Sequence, residues 1–178
     1  MKKFFNKTTN WIILMVPIVF LMSFVLHFIY EWTGNNKIIG AFAPIDESIW
    51  EHTKLTMFPL FILYIIFYAI LRKKIDIDKE KWFTCMLINV ILSVILIPLL
   101  YYLVRYGLGI ESLILNIVIL LMSLVISTLI ARHFYIYGKG INVTISLCLM
   151  AFIVFIYILF TYSKCNLPIF YEPRQINW

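Results

Sequence analysis

Two short stretches of the chain hold side chains able to bind a metal or move a proton. The first is HFIYEW, residues 27–32. His27 and Glu31 stand one helical turn apart, with Ser23 a turn earlier on the same face. The second is FAPIDESIWEHTKLTMFP, residues 42–59. At helical spacing Glu47 and Glu51 share a face with Lys54 near it, while Ser48 and His52 line the adjacent face. Two imidazoles and three carboxylates near one junction suit a borderline divalent metal such as zinc, which takes nitrogen and oxygen ligands. His27, Glu31, Glu51 and His52 form the expected ligand set. The same groups would also serve as an acid–base pair whose pKa values are set by environment.

Structure alone is a third reading. Ser48 followed by Glu51 matches a capping box, and an N-cap at Asp46 would let Ile45 staple onto Trp50. Acidic groups in a first turn also complement the helix dipole. Capping accounts for Asp46, Ser48 and one glutamate, and leaves the other glutamate and His52 without a task. No HExxH spacing is present. Asp46, Lys54, Arg105 and Glu172 are candidates to complete a pocket. Arg105 would clamp an anion or lift its charge to the headgroups. The tail NLPIFYEPRQINW, residues 166–178, would fold back over the bundle or lie along the interface.

The elements that must position these groups are membrane helices. Hydrophobic residues make up 63% of the 178 and charged residues only 13%, about half the usual share of a soluble domain. Mean hydropathy is +0.95. Five apolar runs, at 11–31, 54–71, 83–104, 112–131 and 141–162, each approach the roughly 20 residues that cross a bilayer. The second is the shortest, and the amphipathic stretch before it could lengthen that helix. The expectation is an all-α integral membrane bundle of about five helices, residues 1–178 as a single transmembrane domain, multi-pass in the cell membrane. Lys2, Lys3 and Lys7 ahead of the first run resemble a signal peptide. The run is too long for one and lacks a small-x-small cleavage site, so a retained helix is expected.

Charge sets the orientation. Lys2, Lys3, Lys7, Arg72, Lys73, Lys74, Lys79, Lys81, Arg132 and Lys139 fall on one side, and Lys37, Lys54, Arg105, Lys164 and Arg174 on the other. The positive-inside rule then puts the N-terminus in the cytoplasm and the C-terminus outside, with both chemical stretches at outer helix ends. His27 lies only ~5–6 Å inside its helix end. His133 belongs to the opposite, cytoplasmic side. The net charge of +6 resides at helix ends, which fits topology signals and anionic headgroups and argues against nucleic acid. Pro17, Pro59 and Pro98 lie within runs, as membrane helices allow when neighbours satisfy the freed carbonyls. Ser123 and Ser127 form a small-xxx-small pair, and Asn89 and Asn116 are read as interhelical hydrogen-bonding residues. Cys85, Cys148 and Cys165 show no CxxC spacing and read as packing residues rather than a disulfide framework.

Pro44, Glu47, Ser48, Trp50, Glu51, His52, Lys54 and Leu55, with H-x-x-Y-E-W upstream, resemble an uncharacterised family of small bacterial membrane proteins. That family carries a P-x-N-E-S-x-W-E-H-x-K-L pattern, and here Asp46 stands where it has Asn. The IFYEP segment, residues 169–173, resembles a diverged form of the family's ending. The resemblance implies fold and class across nearly the whole chain and no activity. His27 and Glu31 are also similar to the His/Glu use of the sterol-isomerase and sigma-2-receptor membrane fold, an analogy at fold level. Two functions follow as expectations. One is an outward-facing His/Glu site, metal-binding or acid–base, acting on a lipid-like ligand from the bilayer. The other is a non-catalytic lipid-binding or accessory subunit of a membrane complex, with an apolar groove between helices.

Overall fold

The computed structural model describes residues 7–172. Lys2, Lys3 and Arg174, which entered the charge count, lie outside the described residues, as does the end of the tail. Among the described residues the fold is all-helical, 78% helix with no strand. In chain order the elements are α1 (Lys7–Trp32), α2 (Lys37–Gly40), α3 (Ile49–Leu71), α4 (Lys79–Tyr102), a π-helical turn (Leu103–Gly107), α5 (Leu113–Tyr137), α6 (Val143–Tyr162) and a 3₁₀ turn (Pro168–Phe170). All but α2 and the two turns are long and apolar enough to cross a membrane, and the chain is a multi-pass helical membrane protein. α3 begins five residues before the apolar run does, so the amphipathic stretch is its first turn and a half.

α4 is central and packs against α3, α5 and α6, while α1 leans on α3 and α5. Between lipid-solvated helices there is little hydrophobic driving force, so close packing and interhelical hydrogen bonds hold the bundle. The amide of Asn89 on α4 donates to the Tyr64 hydroxyl of α3 at 3.3 Å and to Thr128 of α5 at 3.2 Å. Thr56 donates to Ser93 at 3.3 Å, and the Trp82 indole donates to the Tyr64 carbonyl at 3.0 Å. Ser123 and Ser127 are fully buried on α5, as close approach requires. Asn116 differs from expectation: it is exposed, one turn into α5 and outside that helix's packed face. Cys85 is buried, its thiol on the Ala131 carbonyl at 3.1 Å, and all three cysteines are free.

Proline explains one contact that positions the site. Pro59 lies inside α3 and has no N–H for the Leu55 carbonyl one turn back. The Ser23 hydroxyl of α1 donates to that carbonyl at 2.7 Å. The freed acceptor thereby becomes a cross-link between α1 and α3, one turn below His27. Ser23→Ala should lower stability by about 1 kcal/mol, since it leaves the carbonyl unsatisfied in an apolar setting. Unfolding titrations in detergent would read this, and an unchanged midpoint would show that the cross-link contributes nothing.

Candidate functional site

At the α1/α3 end, the chain between the two helices folds back on itself and is held by a buried ion pair. Glu51 and Lys54 are both 0% exposed, with 2.6 Å between Nζ and Oε2. A buried pair is tolerable only when its remaining donors and acceptors are satisfied. Here they are. The ammonium also donates to the carbonyls of Gly40 at 2.9 Å and Ala43 at 3.3 Å. The carboxylate accepts from the Ile45 amide at 3.0 Å and from Thr161 of α6 at 3.3 Å. Gly40 is required here, because a Cβ would sit 2.6 Å from the Ile45 side chain and 2.9 Å from Tyr30. Glu51 and Lys54 are therefore a structural knot, and neither faces an open site.

The start of α3 forms the Ser48 half of the expected capping box, while the Glu51 carboxylate turns to Lys54 instead of back to Ser48, and Asp46 is not the N-cap. Ser48 is the N-cap and accepts from the Glu51 amide at 3.3 Å. Asp46 sits outside the helix, accepts from the Ser48 amide at 2.9 Å and pairs with Lys164 beyond α6. Its carboxyl lies below the ordinary 3.8: burial opposes the shift, and the Lys164 and Ser48 hydrogen bonds outweigh it. Trp50 turns the other way, stacking on Tyr157 at 4.4 Å and meeting Phe170 at 4.9 Å. The tail thus folds back over this end through Phe170, which is buried.

Three groups do converge. One atom each from His27, Glu47 and His52 lies within 4.8 Å of the other two. His52 Nε2 is 3.3 Å from Glu47 Oε2, His27 Nε2 is 3.9 Å from Glu47 Oε1, and the imidazole centroids are 5.3 Å apart. His52 Nδ1 sits 2.9 Å from the Ser48 carbonyl. A carbonyl only accepts, so Nδ1 carries the proton and a neutral His52 turns the Nε2 lone pair toward Glu47. Two acceptors facing at that distance need a cation between them, whether a proton or a metal ion. The side chains of His27 and His52 are 29% exposed and Glu47 65%, so the trio opens to the surface. Glu47 lies below its ordinary 4.5 because of the His52 hydrogen bond; burial opposes this, and both imidazoles add to it.

The gathered set shares only the two histidines with the ligand set expected from sequence. Glu51 is committed to Lys54, and Glu31 is exposed one turn beyond His27. Arg105 is engaged with Glu111 at 2.8 Å and with Tyr101 at 3.0 Å, so it completes no pocket with the trio. Glu172 is half-buried at the end of the described chain.

The family of unknown function DUF6512 matches residues 1–176. The chain belongs to that family. No curated protein and no solved structure matches it, so the likeness to the sterol-isomerase and sigma-2-receptor fold rests on His27 and Glu31 alone. Within eight residues, 47–54, the chain places a sealed ion pair and two members of an open imidazole–carboxylate trio, which His27 of α1 completes.

Two predictions follow from these contacts. Lys54→Met alone should cost about 3–5 kcal/mol by leaving Glu51 buried and uncompensated. Glu51→Gln with Lys54→Met should recover most of that loss, and a double variant no more stable than Lys54→Met would refute the pairing. For Glu47 the folded pKa is depressed, so its contribution to stability is present above 4.5 and fades as pH falls through the lower folded value. Melting temperatures of wild type and Glu47→Gln should therefore converge in acid. A gap that persists below the folded value would contradict this.

Proposed function

We propose that the protein binds one divalent transition-metal ion of the zinc class at His27, Glu47 and His52, on the extracytoplasmic side of a membrane. What supports the reading is the convergence of two imidazole nitrogens and a carboxylate oxygen within 4.8 Å, delivered by α1, α3 and the segment between them. Such ligands suit zinc, and a set of three leaves a coordination position for an exogenous ligand, as binding or catalytic sites require. The Ser48 carbonyl on His52 Nδ1 is the kind of outer contact that orients a ligating imidazole. The side assignment rests on the basic residues Arg72, Lys73, Lys74, Lys79 and Lys81 at the opposite end.

A second reading, lipid-binding accessory subunit, draws on a groove of about 260 Å³ between α4 and α6, lined by apolar residues including Val94, Ile95, Phe152 and Ile156. It fits an acyl chain and has no need of the trio.

Elemental mass spectrometry of detergent-purified protein separates the two. Near one zinc per chain is expected, with loss in His27→Ala/His52→Ala and a fall in affinity of at least about tenfold in Glu47→Gln. Glu51→Ala should lose stability rather than a ligand. Protein that stays metal-free after zinc supplementation would refute the metal site and favour the lipid-binding reading.

A further inference from the structure

The surroundings of the trio indicate what would occupy the open coordination position. Phe24, Phe28 and Trp32 recur every fourth residue along α1 and are 42%, 43% and 68% exposed. A stripe of this kind, ending in tryptophan at a helix end, marks lipid contact rising to the headgroup layer. His27 adjoins the stripe, its ring in edge contact with Phe28 at 4.8 Å. The trio therefore sits beside lipid at headgroup depth.

Charge selects the ligand further. Two neutral imidazoles and one carboxylate leave a divalent ion with net positive charge, which favours an anionic oxygen. The charged neighbours are accounted for as well. Asp46 is paired with Lys164, and Glu51 with Lys54. Glu31, exposed one turn beyond His27, is the carboxylate that opposes an incoming anion. The anionic oxygen supplied at this depth by a bilayer is phosphate.

Resting on the metal reading above, we propose that the ion's open position takes a phosphate oxygen, and that a phospholipid headgroup of the adjoining leaflet supplies it. The trio then acts as a lipid-phosphate receptor in which protein and lipid complete one coordination sphere. Metal and lipid bind cooperatively as a consequence, each raising the other's affinity by about fivefold or more.

The test uses protein purified in dodecyl maltoside, a phosphate-free detergent, and loaded with Co²⁺. ³¹P line broadening is followed for dihexanoylphosphatidylglycerol and, separately, for inorganic phosphate. The expected result is saturable broadening of the lipid resonance at concentrations where inorganic phosphate is little affected. The effect should vanish in a His27→Ala/His52→Ala variant that keeps the wild-type helical circular dichroism. Equal broadening of both probes would keep phosphate as the ligand and overturn the lipid as its source. Bound Co²⁺ with neither probe broadened would overturn this inference and leave the metal site standing. Failure to retain Co²⁺ would remove both. Glu31→Gln adds an independent check: it should keep the metal and tighten phosphate binding. Loss of the metal in that variant would place Glu31 in the open position and overturn the proposal.

Discussion

The path of the chain that folds over the α1/α3 end depends on the buried Glu51–Lys54 pair. Both partners are 0% exposed, and an unpaired charge in that position would cost several kcal/mol. The pair is stable because the segment folded over it supplies what is missing: carbonyls of Gly40 and Ala43 for the ammonium, and the Ile45 amide for the carboxylate. Those backbone groups would otherwise need partners of their own at a membrane boundary. The ion pair therefore fixes the path of residues 40–45, and that path sets where Asp46 and Glu47 emerge. Thr161 extends the same network to α6, and the Asp46–Lys164 pair closes it from outside. The knot is small, but the ends of α3 and α6 and the segment from α2 all run through it.

A second constraint acts from below. Ser23 ties α1 to the Leu55 carbonyl that Pro59 leaves free. Leu55 lies three residues after His52, and Ser23 lies four before His27, so the cross-link sits about one turn beneath both imidazoles. The two histidines thus project from helices locked together near their roots. Glu47 comes instead from the segment held by the ion pair. The trio rests on two independent restraints, and its most exposed member, Glu47, is the one not carried by a helix.

Much of this fold was legible in sequence because apolar runs of bilayer length have few other solutions. Asn89 was legible as a bundle contact for the same reason: an amide deep in an apolar run must find partners. Asn116 was misread because residue type does not tell which face of α5 packs. The site was harder. Helical spacing grouped Glu47 with Glu51, yet Ser48 is the N-cap, so Glu47 lies outside the helix and the periodicity does not apply to it. Glu51 and Lys54 looked like open-site residues because a single sequence carries no sign that residues 40–45 would fold over them. Only the covering backbone distinguishes the sealed carboxylate from the open one.

The division of labour inside DESIWEHTK follows from helix geometry. From Ser48 onward, each residue turns about 100° from the last, so neighbours face different environments. Ser48, Glu51 and Lys54 recur every third residue and point into the fold, where they cap, pair and hold the backbone. His52, four after Ser48, shares the cap's turn and reaches its carbonyl, which orients the ring. Trp50 points toward α6 and the returning tail. A motif with so many polar residues need not mean that all of them face a ligand. Most hold the backbone that presents the two groups, Glu47 and His52, able to meet His27 across the gap between helices.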